Sequence, residues 1–199
     1  MSRAGGIPVL QGGEDVNLKH PTSSVFVFRR LPGGWRIGLI RHPRFRRMMI
    51  PGGHVEPEES PAEAALREVA EETGLAITLV SPPAAPVPPG YRARRVAPPW
   101  WIAEYQVPAD NHLDVAHVHV DHLYVALADG EAPGRAPGAA AHPFGWYAAG
   151  DLAGLDMFDD ARVLALSLLA GLANGADTAG AAADTAGAAA ALIAGLSQA

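Results

Sequence analysis

Residues 60 to 74 constrain this chain more than any other stretch, because both ends of a helix are written into them. Ser60 can cap it, Pro61 suits the first helical position, Glu63 completes a Ser-x-x-Glu capping box, and Gly74 suits a left-handed stop. The spacing of Ala62, Ala65, Leu66 and Val69 predicts an apolar stripe along one side. Glu68, Glu71 and Glu72 fall at i, i+3 and i+4 and share the opposite side. Such a helix rests one side on an apolar layer and presents the other as a dense negative face.

The layer is readable in the flanking segments. Residues 22 to 28, 36 to 41, 75 to 80, 100 to 107 and 117 to 127 carry strand character, and the turn Leu31-Pro32-Gly33-Gly34 joins the first two as a hairpin. Asp159 to Ala173 reads as a second amphipathic helix. Strands mixed with a few helices predict a layered α/β or α+β sheet protein. We expect an N-terminal extension over 1–19, one domain over 20–173, and an Ala/Gly-rich tail over 174–199, where ADTAGAA occurs twice in succession. Ala and Gly bury too little for a coiled-coil seam, so the tail is expected to be weakly helical or frayed. Two long loops, 81–99 and 128–144, interrupt the plan; the first carries Arg92, Arg94 and Arg95 and suits a substrate-facing flap or a solvated insertion.

Crowded carboxylates repel one another and raise each other's pKa unless cations sit among them, so the acidic face is consistent with a divalent metal. The chain has no cysteine, and no histidine shares that face. Oxygen-only ligation points to Mg²⁺ or Mn²⁺ rather than zinc. Lack of cysteine also excludes disulfides, thiolate metal sites and cysteine nucleophiles, and with no signal-peptide core or membrane-length apolar run the chain is expected in the cytoplasm. A net charge of -6 disfavours nucleic acid held by bulk charge and favours a small-molecule partner. Since Mg²⁺ usually shares its shell with phosphate, that partner is expected to be phosphorylated. Pro51-Gly52-Gly53-His54 predicts a tight turn whose carbonyls can approach an ion, and Arg67, off the carboxylate face, is expected to reach back to Glu59.

Gly53, five residues, Glu59, seven residues, then Arg67-Glu68-Val69-Ala70-Glu71-Glu72-Thr73-Gly74-Leu75 resembles the Nudix box without departure. Seven identities at about 7% usage each coincide by chance on the order of once in 10⁸ starts. The resemblance runs from about His20 to Phe158, with GLIRHPRFRRMMIPGGHVEPEESP similar to the entry of the box in MutT-type members and FGWYAAGDL to the closing strand and turn. It implies an α/β/α sandwich with a mixed sheet. It also implies Mg²⁺- or Mn²⁺-dependent hydrolysis of a nucleoside diphosphate linked to another group. Nucleoside triphosphates or oxidised nucleotides are the first class, with ADP-ribose or a nucleotide sugar next. A Nudix-fold sensor that binds a nucleotide without turnover is the alternative, and oligomeric state stays open, a homodimer included.

The resemblance assigns Glu68 and Glu72 as principal metal ligands, Glu71 as a ligand or their neighbour, the Gly52 carbonyl as a further ligand, and Glu59 and Arg67 as their catalytic support. Where the family often draws its base or a further metal ligand from a glutamate a few residues ahead of the aromatic matching Trp146, this chain has Ala139-Ala140-Ala141-His142. The base is therefore open among His142, Glu104, Asp121 and the box glutamates. Strand alternation puts His117, His119 and Asp121 on one face, fit for hydrogen bonding, substrate reading or a second metal. Arg41 heads a basic run through Arg47, beside Arg29, Arg30 and Arg36, that can steer polyphosphate. Of Trp100 and Trp101, expected on opposite faces, one can stack on a base while the other packs.

Overall fold

The structure, a computed structural model, describes residues 18–110, 112–129, 142–178 and 185–196. The expectations for residues 1–17, for Ala139 to Ala141 and for most of the second long loop lie outside the described residues. Two long strands, β1 (Lys19–Leu31) and β7 (His117–Asp129), form the spine and run parallel, in register from Lys19 opposite Val118 to Phe28 opposite Leu127. Each carries a continuous apolar run, Val25 to Phe28 and Leu123 to Leu127, because both of its faces are covered.

Each spine strand changes partner along its length. The start of β1 pairs with the short β4 (Gly52–His54), and its end pairs through the hairpin with β2 (Gly34–Arg41). Gly33 and Gly34, at φ 87° and 114°, supply the left-handed backbone this turn requires. The start of β7 pairs with β6 (Trp101–Val107) and its end with β5 (Ala76–Val80). β3 (Met48–Met49) and β8 (Phe144–Tyr147) join β2, and among the described strands every strand-to-strand pairing but the spine's is antiparallel. The result is one mixed eight-stranded sheet.

Helix α1 (Pro61–Thr73) covers one face, packing Ala62, Ala65 and Val69 on Val25, Val27, Tyr124 and Ala126. Its capping box is formed, with the Glu63 N–H donating to Ser60 Oγ and the Ser60 N–H to Glu63 Oε2, and Gly74 ends it at φ 73°. The buried stripe is shifted from the one expected: Ala64 is inside and Leu66 is 41% exposed, since the helix meets the sheet along its small residues and turns the larger one outward. Helices α2 (Asp159–Thr178) and α3 (Thr185–Leu196) cover the other face, against Phe26, Phe28, Ile37, Leu39 and Val125. The architecture is the α/β/α sandwich expected.

The repeat tail takes the helical of its two expected forms over 185–196: Ala188 and Leu192 are buried in the α2-side core, and a fully buried leucine contributes about 1.5–3 kcal/mol, enough to anchor a helix whose alanines allow close approach. One expectation is corrected. Trp100 and Trp101 do not divide between faces. Both pack against the α2-side core with ring centroids 5.9 Å apart, because Trp100 precedes β6 and escapes strand alternation. Among the described residues no helix is long and apolar enough to cross a membrane.

Candidate active site

The site is built where β4 lies along α1. Residues 52 and 53 sit close to β1 and to the helix: a Cβ on Gly52 would stand 2.4 Å from the Ser23 carbonyl oxygen, a backbone clash, and one on Gly53 would stand 2.4 Å from Glu68 Oε1, displacing that carboxylate. The Gly52 N–H donates to Glu72 Oε2 at 3.0 Å. The Glu68 and Glu72 side chains thus lean on the strand that precedes their own helix, 15% and 12% exposed respectively, while Glu71 is 58% exposed.

Arg67 ties the elements together. Its guanidinium donates to both Glu59 oxygens, at 2.6 and 3.1 Å, and to the His54 carbonyl at 2.9 Å, locking loop to helix as expected from sequence. It also donates to Glu68 at 2.7 Å and to Glu71 at 3.1 Å. This corrects the view that Arg67 stands off the carboxylate face: residues at i and i+4 are neighbours, and a long side chain spans the rest.

The electrostatics divide the glutamates. The Arg67 hydrogen bonds hold Glu59 below the usual carboxylate range. Burial lifts Glu68 against the pull of Arg67. Burial lifts Glu72 to about 8, with Glu68 and Glu71 adding to the rise and the Gly52 N–H opposing it. Carboxyls that take up protons when no cation is near, grouped with a third on one helix face, make a donor set suited to a hard divalent ion.

The other sequence candidates are dispersed. His142 is brought to the carboxylates: its N–H donates to the Glu72 carbonyl at 3.2 Å, and its Nε2 lies 3.4 Å from Glu72 Oε1. Arg41 is exposed at the end of β2, its N–H bonded to the Pro143 carbonyl at 2.8 Å. Trp100 is part of the core packing and donates its indole N–H to the Val80 carbonyl, which leaves it poorly placed to stack on a base. Glu104 pairs with Lys19. Asp121 is 7% exposed and accepts a hydrogen bond from Thr22 Oγ1 at 3.0 Å. His119 faces His117, and the carboxylate beside them is Asp110 rather than Asp121. Sequence reasoning missed Asp110, whose signal was its position just ahead of His112, His117 and His119. Within the loop 81–99, Arg94 pairs with Glu63 at 2.7 Å, which ties the loop to the start of α1.

A glycine strand pressed on an acidic, arginine-braced helix at the edge of a mixed sheet between helices defines the class of fold and site. The model of the NUDIX domain matches residues 19–166, and the chain belongs to the Nudix family. It is 46% identical over 40 residues to the "Probable DHNTP pyrophosphohydrolase" of Lactococcus lactis subsp. cremoris (strain MG1363), a match covering 20% of this chain and 24% of that protein. Among solved structures it is similar to a NUDIX-family hydrolase from Clostridium perfringens, with TM-score 0.56 and 24% identity over 74% of this chain and 93% of the other. It is also similar to a C. elegans Ap4A hydrolase, with TM-score 0.50 and 15% identity over 73% and 92% of the two chains.

Proposed function

We propose that this chain hydrolyses a phosphoric anhydride in a nucleoside diphosphate linked to a further group, using Mg²⁺ or Mn²⁺ held by Glu68 and Glu72 with Glu71 and the Gly52 carbonyl. The observation that carries this reading is the pair of largely buried carboxylates, Glu68 and Glu72, lodged against Gly53 and Gly52 beside a third glutamate on the same helix. When bound, a divalent ion offsets charge on the phosphoryl oxygens and acidifies the attacking water.

The protein's own part is positional. Arg67 fixes Glu68 and Glu71 relative to the loop, and Glu59 fixes Arg67, so the carboxylates meet their ligand already oriented. Of the residues outside the box considered as base, His142 is the one beside the carboxylates. It is assigned, with Glu72, to take the proton from the attacking water. Arg41, exposed near His142, is assigned to the polyphosphate chain. Nucleoside triphosphates, ordinary or oxidised, are the favoured substrates, and ADP-ribose and nucleotide sugars come next; the name of the Lactococcus relative supports the pyrophosphohydrolase class only.

The test is phosphate and pyrophosphate release across a nucleotide panel with Mg²⁺ or Mn²⁺, for the parent chain and for Glu68→Gln and Glu72→Gln. Each variant removes a charged ligand while keeping shape, so the rate should fall by about 10²-fold or more with the fold intact. Unaltered rates in both would put the chemistry elsewhere. Tight nucleotide binding without turnover on any member of the panel would make the chain a sensor instead.

A further inference from the structure

Successive residues of β4 point to opposite faces of the sheet, so while Gly53 meets Glu68 on the α1 side, the next side chain, His54, turns the other way. There it meets His117 and His119 from β7 and Asp110 from the connection ahead of β7. One ring nitrogen from each of the three imidazoles and a carboxylate oxygen all lie within 4.8 Å of one another. Asp110 Oδ2 is 3.4 Å from His117 Nε2, 3.5 Å from His119 Nε2 and 3.8 Å from His54 Nε2, and the His117 and His119 Nε2 atoms are 3.0 Å apart. A tetrahedral ion with bonds of about 2.0–2.1 Å needs ligand atoms about 3.3 Å apart, which these separations bracket.

From this geometry we propose that His54, Asp110, His117 and His119 form a second metal site, for a zinc-class divalent ion, separate from the carboxylate site on α1.

The groups around the cluster prepare it for that ion. His117 Nδ1 lies 2.9 Å from the Val115 carbonyl, which requires its proton on Nδ1 and leaves Nε2 as a bare lone pair. Asp110 Oδ1 accepts the N–H groups of His112 and Leu113 at 2.8 and 3.0 Å, turning Oδ2 towards the histidines. Hydrogen bonding alone does not complete the cluster: His119 can donate to His117 or Asp110, but His54 Nε2 is buried and has no hydrogen-bond partner. An orphaned imidazole nitrogen in a polar pocket calls for a cation or a proton donor. Two further imidazoles close the site, His112 stacked on His54 at 3.8 Å between centroids and His20 at 5.8 Å from His54 and 5.6 Å from His117.

Donor chemistry selects the metal. Three imidazoles and one carboxylate suit zinc and its neighbours, whereas the all-oxygen set on α1 suits magnesium or manganese. Four protein ligands fill a tetrahedral shell and leave no open position, so the role is to brace structure. The ion would join β4, β7 and the connection between β6 and β7, three elements distant in sequence, and hold from behind the strand on which Glu68 and Glu72 lean.

The test uses the full chain, stripped with a chelator and titrated with Zn²⁺ against a chromophoric chelator, with Co²⁺ as a spectroscopic probe. The parent should bind one Zn²⁺ at least 100-fold more tightly than His54→Gln or His119→Gln, and its Co²⁺ form should show the intense visible bands of tetrahedral coordination, absent in both variants. Glu72→Gln should bind Zn²⁺ as the parent does. Circular dichroism checks that each variant is folded, and Asp110→Ala carries the same test should a histidine variant fail to fold. Equal Zn²⁺ affinity in parent and variants, a weak octahedral Co²⁺ spectrum, or loss of binding in Glu72→Gln alone would overturn the proposal.

Discussion

Adding one methyl group at residue 53 should separate catalysis from folding. Gly53 is not in the left-handed region, so Gly53→Ala costs little in backbone strain. The new Cβ would stand 2.4 Å from Glu68 Oε1, 2.6 Å from its Cδ and 2.9 Å from its Oε2. Ordinary contact lies near 3.4 Å, so the carboxylate must retreat by about 1 Å, and a displacement of that size in a catalytic group costs on the order of 10²-fold in rate. The group that gives way is the end of a side chain, so the stability change should stay near 1 kcal/mol or below. Gly52→Ala makes the contrast: its Cβ would meet backbone, the Ser23 carbonyl at 2.4 Å and Ser24 Cα at 2.7 Å, and the β1–β4 pairing itself must open. Metal-dependent pyrophosphate release and urea unfolding should be measured for both, with Mn²⁺ titration as a readout independent of substrate. Gly53→Ala should unfold like the parent yet bind Mn²⁺ weakly and turn over slowly, while Gly52→Ala should lose stability by roughly 1–3 kcal/mol. A Gly53→Ala chain with parental rate and Mn²⁺ affinity would show that the position of Glu68 does not matter to the site.

Arg67→Lys keeps the charge but cannot reach Glu59, Glu68, Glu71 and the His54 carbonyl together, so urea unfolding should show a loss of about 1–3 kcal/mol, and a parental midpoint would discount the network. Glu72 sets a pH dependence: its folded-state value of about 8 exceeds the ordinary 4.5, so the metal-free fold holds a proton that the unfolded chain has lost, and stability should fall, by a few kcal/mol at most, as pH rises between them. Mg²⁺ or Mn²⁺ should displace that proton, and calorimetry at pH 7 in buffers of different ionisation enthalpy should find about one proton released per ion; none released would refute the assignment.

The helix was legible because its signals are local. Ser60, Pro61, Glu63 and Gly74 act within one turn of each helix end, and Glu68, Glu71 and Glu72 share a side through helical period alone. The Arg67–Glu59 pair followed from the same geometry. The spine strands announced themselves as apolar runs, and with them the layered fold. By contrast, β4 is Gly-Gly-His, a sequence with no strand preference, which becomes a strand only by pairing with Thr22 to Ser24. The choice of Ala64 over Leu66 for the interior depended on how closely helix and sheet approach.

Sequence by itself therefore determined the layered sheet and the acidic helix, through patterns that span a few residues, and the resemblance of one motif supplied the family and, through it, the sandwich. Tertiary structure alone decided what stands across from what. It placed His142 beside Glu72, packed both tryptophans into one core, and put Asp110 rather than Asp121 among the histidines. The reason is physical: strand alternation tells which face a residue takes, but the neighbour it finds there is set by pairings between β1, β4 and β7, whose residues lie up to about a hundred positions apart in the chain.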